Sequence, residues 1–366
     1  MMRVFIDATA AATGGLGTYA RGLLRAWGNE FSQDRLRVAV GSANLLSSRP
    51  ATGNIETSRF AAGPGNPLQR LAQQNLLLNR LSSRWNADVF LSLLPQLPVF
   101  LSMPSVAIVH DLWHEIRPND FTLGRRLQRH VIYGHAYRRA SALVTVSSRT
   151  RQDLLSFHSE LQHKTHAVLS GCDHITEWDR DPRPGSDGYM VAFGHHDNKR
   201  PDLALGAWLR LRSVRPGVPP LVIAGLRPAV LDDLQRKATA AGAGAQLMLR
   251  GHIPDLEFQS LFAGASALLF TSVFEGLGLP ALEAMRLGIP LVICPDPGLL
   301  EAAGGHAEVA HDWTTEAISA AAGRALDWDP QHRSAARSHA LAFTWLRTVA
   351  GIRDVAQALL TGDSLS

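Results

Sequence analysis

Cysteine is nearly absent from this chain. Cys172 and Cys294 stand alone, far apart and in no C-x-x-C spacing, so there is no disulfide framework and no zinc motif, and a reduced, cytoplasmic setting is expected. No apolar run approaches the ~18 residues of a membrane span. The opening Met1-Met2-Arg3-Val4-Phe5-Ile6-Asp7 reaches an acidic residue too early for a signal peptide and reads instead as a buried first strand. Aromatics make up only 7 % and show no RNA-binding pattern, so nucleic acid is not an expected partner. Short repeats and low-complexity tracts are also missing.

What is present suits a folded α/β protein. Of 366 residues, 46 % are hydrophobic and 19 % charged, which excludes a disordered chain, and the length favours two domains over one. The net charge of +4 is mildly basic and compatible with anionic substrates or a membrane surface. Part of that charge gathers at Arg125, Arg126, Arg129, His130, Arg138 and Arg139. This is either a solvated helix face or a surface for phospholipid or acceptor.

Apolar runs at 3–7, 36–41, 88–93, 106–110, 142–147 and 166–170 alternate with helical patterns at 17–28, 68–84 and 123–140. Near-continuous Val, Ile and Leu in such runs predicts parallel strands covered on both faces. Residues 176–188 are polar, rich in Pro and Gly and without period, and read as a linker. Alternation resumes with strands at 189–193, 221–225, 246–251, 267–271 and 291–294. The expected architecture is two doubly wound α/β domains, 1–175 and 189–343, with a final helix in 344–366. Ligands of open α/β sheets bind beyond the carboxyl ends of strands, so the residues that follow strands are the candidates.

The strongest candidate stretch is Phe274-Glu275-Gly276-Leu277-Gly278-Leu279-Pro280-Ala281-Leu282-Glu283-Ala284-Met285. Gly276 and Gly278 permit a tight turn with close backbone approach, and Pro280 suits the first turn of a helix. Glu275 then lies on a loop and Glu283 about one turn into a helix, whose amino end attracts a diphosphate. The second stretch, Phe193-Gly194-His195-His196-Asp197-Asn198-Lys199-Arg200-Pro201, runs from a strand through a polar loop to a helix. Lys199 and Arg200 there can neutralise a diphosphate. After the first strand comes Gly14-Gly15-Leu16-Gly17-Thr18-Tyr19, without a dinucleotide fingerprint's third glycine or ribose acid. His110 and Asp111 close another strand. His110-Asp111-Leu112-Trp113-His114-Glu115 lacks the H-E-x-x-H spacing of a zinc helix, and Asp179-Arg180-Asp181 sits in the linker, not at a strand end. No metal is expected.

With Glu275 and Glu283 in an E-x7-E spacing, the chain resembles the family 4 retaining glycosyltransferases of GT-B fold, the glycosyl transferases group 1, over nearly its whole length. The resemblance implies two Rossmann-like domains facing a central cleft, with the last helix crossing back to the first domain. It implies donor contacts at Gly15, Gly17, Lys199, Arg200, Glu275, Gly276, Leu277, Gly278 and Glu283. Glu275 would meet the donor sugar and Glu283 the nucleotide ribose. Gly15, Leu16, His110 and Asp111 would face the acceptor, and His110, Lys199, Arg200 and Glu275 would be catalytic. The family carries an Arg-Lys pair where this chain has Lys199-Arg200. Ser170-Gly171-Cys172-Asp173 departs from the family's N-G-V-D turn and is assigned no contact, and Pro297-Gly298-Leu299-Leu300-Glu301 departs from its P-E turn.

No carboxylate stands out as a nucleophile for double displacement, and the resemblance implies front-face attack with retention. The expected co-substrate is a nucleoside diphosphate sugar, with GDP-mannose preferred to a UDP-sugar, and no other cofactor. The expected acceptor is a glycan or lipid-linked hydroxyl of a bacterial surface polysaccharide, with weak contact to an anionic membrane. Two rivals remain at this stage: a non-catalytic nucleotide-sugar-binding or scaffold protein of the same fold, and a nucleotide-sugar epimerase.

Overall fold

The computed structural model describes residues 1–11, 14–41, 53–60, 74–178 and 188–363. The chain forms two compact units, Met1–Gly171 with Thr344–Ser366, and Cys172–Phe343. The division falls at 171/172, four residues before the expected boundary. The reason is local: a short 3-10 helix, Asp173–Glu177, packs on the second unit. Residues 179–187 of the expected linker, Asp179-Arg180-Asp181 among them, lie outside the described residues, as does the start of the helix expected from 68.

The first unit is built on parallel strands β1 (Arg3–Ala8), β2 (Arg35–Val40), β3 (Ile55–Arg59), β4 (Val89–Ser92), β5 (Ser105–Val109), β6 (Ala142–Thr145) and β7 (Thr165–Ala167), in the order β3-β2-β1-β4-β5-β6-β7. Its helices are α1 (Gly14–Glu30), α2 (Asn79–Arg84), α3 (Trp113–Ile116), α4 (Leu123–Arg139) and α5 (Ser148–Phe157). Central strands β4, β5 and β6 are wholly buried, because helices cover both faces of a parallel sheet. Phe5 stacks on Phe90 across neighbouring β1 and β4 with ring centroids 5.6 Å apart. Ser147 caps α5 by accepting from the Thr150 amide.

The second unit contains β8 (Tyr189–Phe193), β9 (Leu221–Ala224), β10 (Leu247–Leu249), β11 (Ala265–Phe270), β12 (Leu291–Ile293) and β13 (Glu308–Val309), ordered β10-β9-β8-β11-β12-β13 and all parallel. Its helices are α6 (Pro201–Val214), α7 (Pro228–Ala240), α8 (Asp255–Ala263), α9 (Leu279–Leu287), α10 (Pro297–Ala303), α11 (Thr315–Leu326) and α12 (Pro330–Ala340). Trp208 from α6 is fully buried between α6 and the sheet, beside Leu221, Ile223 and Ile318.

Helix α13 (Trp345–Thr361), capped by Thr344, is part of the first unit and packs on α1, β5 and β6. Asp34 fixes it there. Its fully buried carboxylate accepts from the Met2 amide at 2.9 Å, Trp27 Nε1 at 3.1 Å and Arg353 Nε at 2.8 Å. Burial alone would raise the Asp34 pKa. The hydrogen bonds from Arg353, Trp27 and the Met2 amide outweigh that and hold it below the usual carboxyl range.

Both sheets reverse strand order once, between β1 and β4 and between β8 and β11. The crevice at such a reversal, outside the carboxyl ends of the strands, is where open α/β sheets take ligands.

Candidate functional site

In the second unit the loops after β8 and β11 flank this reversal, and they are tied together. Lys199 Nζ lies 2.6 Å from Glu275 Oε1. The same oxygen accepts from Ser272 Oγ at 2.5 Å and Asn198 Nδ2 at 3.1 Å. Asn198 also donates to the Phe274 carbonyl at 2.8 Å, and its own carbonyl accepts from the Val273 amide at 2.8 Å. Lys199 is buried, with Nζ 4.5 Å from the centre of the Phe270 ring. An ammonium has three donors, so Lys199 can hold Glu275 and still offer N–H groups to an anion.

Arg200 is placed differently from its neighbour. Its backbone is left-handed at φ 46°, uncommon for a residue with a side chain. Thr271 Oγ1 fixes this turn with its one proton, which is shared between the Lys199 carbonyl at 2.8 Å and the Arg200 carbonyl at 3.1 Å. The guanidinium binds Asp202 through two hydrogen bonds of 2.9 and 2.7 Å. Lys199 and Glu275 are therefore in contact, while Arg200 is half-exposed and pairs within its own helix start.

The Glu275 loop turns into α9 through Gly278, whose φ of 87° belongs to the left-handed region. Leu277 is buried, and Gly276 lies in the loop between them. Close packing fixes the loop from below. A Cβ on Gly298, in the first turn of α10, would lie 2.3 Å from the Glu275 carbonyl oxygen. Asp296 caps α10 through the Gly298 and Leu299 amides.

Glu283 sits inside α9, buried, and accepts from His174 Nε2 at 2.9 Å. Sequence reasoning missed His174, because it follows a turn that departs from the family pattern and was assigned no contact. Asn198, Ser272 and Gly298 were missed as well. Gly298 did carry a signal, being a glycine inside a helix start that needs none for capping; such a residue has a packing reason.

In the first unit, His110 follows β5 at the β1/β4/β5 end of the sheet. Its Nε2 lies 2.9 Å from the Leu93 carbonyl and must donate to it, which leaves Nδ1 as the acceptor in the neutral ring. Burial pushes the His110 pKa down, against smaller upward pulls from the Leu93 carbonyl and Asp111. Tyr19 meets the ring edge-on, with centroids 4.9 Å apart. Asp111, just ahead of α3, accepts from the Trp113 amide at 3.0 Å and fixes the turn that leads into the helix. Helix α1 already begins at Gly14, so Gly15 and Leu16 occupy its first turn. Gly15 is exposed with open space above it, Leu16 borders a small cavity with Asp7 and Leu93, and Gly17 is buried.

Taken with both sheet topologies, these sites define the fold of the GT-B glycosyltransferases, and the comparisons agree. Sucrose-phosphate synthase from Thermosynechococcus elongatus superposes with a TM-score of 0.76 at 14 % identity, covering 99 % of this chain and 100 % of that one. Anabaena HepE, crystallised with UDP and glucose, gives 0.70 at 16 % identity, covering 98 % and 100 %. Residues 180–336, the stretch that carries Lys199, Glu275 and Glu283, match the family described as glycosyl transferases group 1. The matched stretch falls within the second unit. The O-antigen chain mannosyltransferase B of Escherichia coli is 34 % identical over 133 residues, 34 % of this chain and 34 % of that relative. The matches span about a third to a half of the curated relatives' own lengths.

Proposed function

We propose that this protein is a retaining glycosyltransferase that moves a mannosyl or related hexosyl group from a GDP-sugar to a hydroxyl of a glycan or lipid-linked acceptor in bacterial surface-polysaccharide assembly. The observation that carries the reading is the Lys199–Glu275 pair at the β8/β11 reversal, within the matched stretch. In this reading the remaining Lys199 N–H groups and the amino end of α9 stabilise the leaving diphosphate. Arg200 contributes once it leaves Asp202. Glu275 accepts from a sugar hydroxyl, Glu283 from the ribose, and Gly276, Leu277 and Gly278 bring backbone close to the donor. Front-face attack then lets the departing diphosphate take the acceptor proton, with no protein nucleophile and no metal. His110, with Nδ1 as acceptor, serves the acceptor side together with Asp111, Gly15 and Leu16. The name of the E. coli relative supports the mannosyl preference.

A thermal-shift panel of GDP-mannose, GDP-glucose, UDP-glucose and UDP-N-acetylglucosamine tests the donor. A ligand at 100 times its Kd stabilises the fold by about 2.7 kcal/mol, and GDP-mannose is expected to give the largest shift. Stabilisation by none of the four at millimolar concentration rejects the function; a larger shift with a UDP-sugar rejects only the donor. Transfer should persist in EDTA. Loss of activity that magnesium or manganese restores would assign the charge to a metal.

No helix among the described residues is long and apolar enough to cross a membrane. We place the protein at the cytoplasmic face of a membrane on a different ground. Leu123, Leu127 and Val131 form a stripe along α4 that is 82 %, 65 % and 59 % exposed, and the exposed Arg125, Arg126 and His130 border it. An apolar stripe flanked by cations suits shallow contact with anionic lipid.

A further inference from the structure

Away from the Lys199–Glu275 loops, the second unit has a pocket of about 270 Å³ lined by Thr176, Arg286, Arg337 and Leu341. Arg286 stands one turn beyond Glu283 on α9, and Arg337 projects from α12, which packs against α9. Arg286 is only 9 % exposed. Its Nη1 makes a long hydrogen bond, 3.4 Å, to the Ala340 carbonyl, and its buried Nε has no partner among the described residues.

Among the described side chains no carboxylate lies within ion-pair distance of Arg286 or Arg337. Glu283, the acid nearest along α9, is engaged by His174. The Cys172 thiol beside Arg286 is pushed up to about 12, chiefly by burial, and stays neutral. Arg333, one turn before Arg337 on α12, adds a further cation and donates to the Gly288 carbonyl at 3.4 Å. A guanidinium buried without an anion is costly, and its fork of donors matches the oxygens of a phosphate.

We infer that this pocket is an anion site for a phosphate group, borne by a small phosphomonoester such as a sugar phosphate. Arg286 binds it from α9, and Arg337 closes on it from α12. The site is separate from the proposed diphosphate position, and it shares helix α9 with Glu283 and the 3-10 helix of Thr176 with His174.

Isothermal titration of the full chain at constant ionic strength, with inorganic phosphate and with a hexose 6-phosphate, tests this. Saturable binding is expected, weakened at least about tenfold in Arg286→Gln and in Arg337→Gln and retained in Lys199→Gln. Arg337 is exposed, so its variant carries the test even where Arg286→Gln fails to fold. Tighter binding of the sugar phosphate identifies an organic ligand; equal binding identifies recognition of the phosphate group alone. Absence of saturable binding by either probe overturns the inference. So does binding that survives Arg337→Gln and disappears in Lys199→Gln, which would put the phosphate at the diphosphate position.

Discussion

Lys199 and Glu275, 76 residues apart in sequence, form a 2.6 Å ion pair between the two loops that flank the strand reversal of the second sheet. The pair is nearly buried, so removing either charge leaves the other without compensation. An alanine at 275 therefore strains the fold as well as the chemistry, by up to about 3–5 kcal/mol for a fully buried pair. Although Glu275 lies on a loop, its contact with Lys199 makes truncation there costly to the fold. Glu275→Gln is the better probe, because its amide oxygen can still accept from Lys199, Ser272 and Asn198 and so leaves fewer buried donors without a partner. It is expected to fold, by circular dichroism and a cooperative melt, and to lose transfer about 100-fold or more. A folded variant with wild-type turnover would end the proposed donor-sugar role.

Glu283→Ala is expected to weaken nucleoside diphosphate affinity about tenfold, with a smaller effect on turnover of bound donor. His174→Ala removes the donor that holds one oxygen of Glu283 and should weaken nucleotide binding in the same direction, by less. Calorimetry of both variants decides the matter: unchanged affinity in Glu283→Ala removes the ribose assignment.

Gly298→Ala places a methyl group against the Glu275 carbonyl, and because the obstacle is backbone the loop has to move. Transfer should fall by at least about tenfold, since misplacing a catalytic group by ~1 Å can cost about 100-fold. Wild-type kinetics in this variant would show that the loop tolerates displacement.

Asp34 makes the first unit acid-sensitive. Its folded pKa lies below its unfolded value, so the unfolded chain binds more protons as the pH falls through that range, and stability declines with it. The contribution is fully present above the unfolded value of about 3.9 and is lost as pH falls through the folded one. Urea midpoints between pH 5 and pH 2 should drop more steeply for wild type than for Asp34→Asn. Parallel curves would show that the carboxylate does not govern acid stability.

Salt-sensitive flotation with anionic liposomes is expected from the α4 stripe. Each cation near such a surface contributes about 1 kcal/mol, so Arg125, Arg126 and Arg129 changed together to Ser should abolish it. Equal flotation of the triple variant, or none by wild type at low salt, leaves a soluble acceptor as the better reading.

The sequence exposed the strands that carry long aliphatic runs. Tyr189–Phe193 appears as expected, and most other strands differ by one to three residues at their ends. Two edge strands escaped notice for a shared reason. Ile55-Glu56-Thr57-Ser58-Arg59 is mostly polar and Glu308–Val309 is two residues long, and edge strands lack the second covered face that writes an apolar run. The site was legible where chemistry sits in a contiguous motif, as at Glu275 and Glu283. It was hidden where tertiary contact sets the role: nothing local distinguishes Lys199, bound to Glu275, from Arg200, bound to Asp202.

The place of α13 in the first unit also bears on how the chain is made. Arg353 meets Asp34 across 319 residues of sequence, and the whole second unit is synthesised between them. Until Arg353 emerges, the buried Asp34 carboxylate has no cation and α1 lacks the helix that covers it. Domains fold as units during synthesis, so the second unit, continuous in sequence, can close on the ribosome while the first still waits for its last element. The order of completion is thus the reverse of the order of translation, and a nascent chain halted before residue 345 should carry a finished second unit beside an unfinished first one.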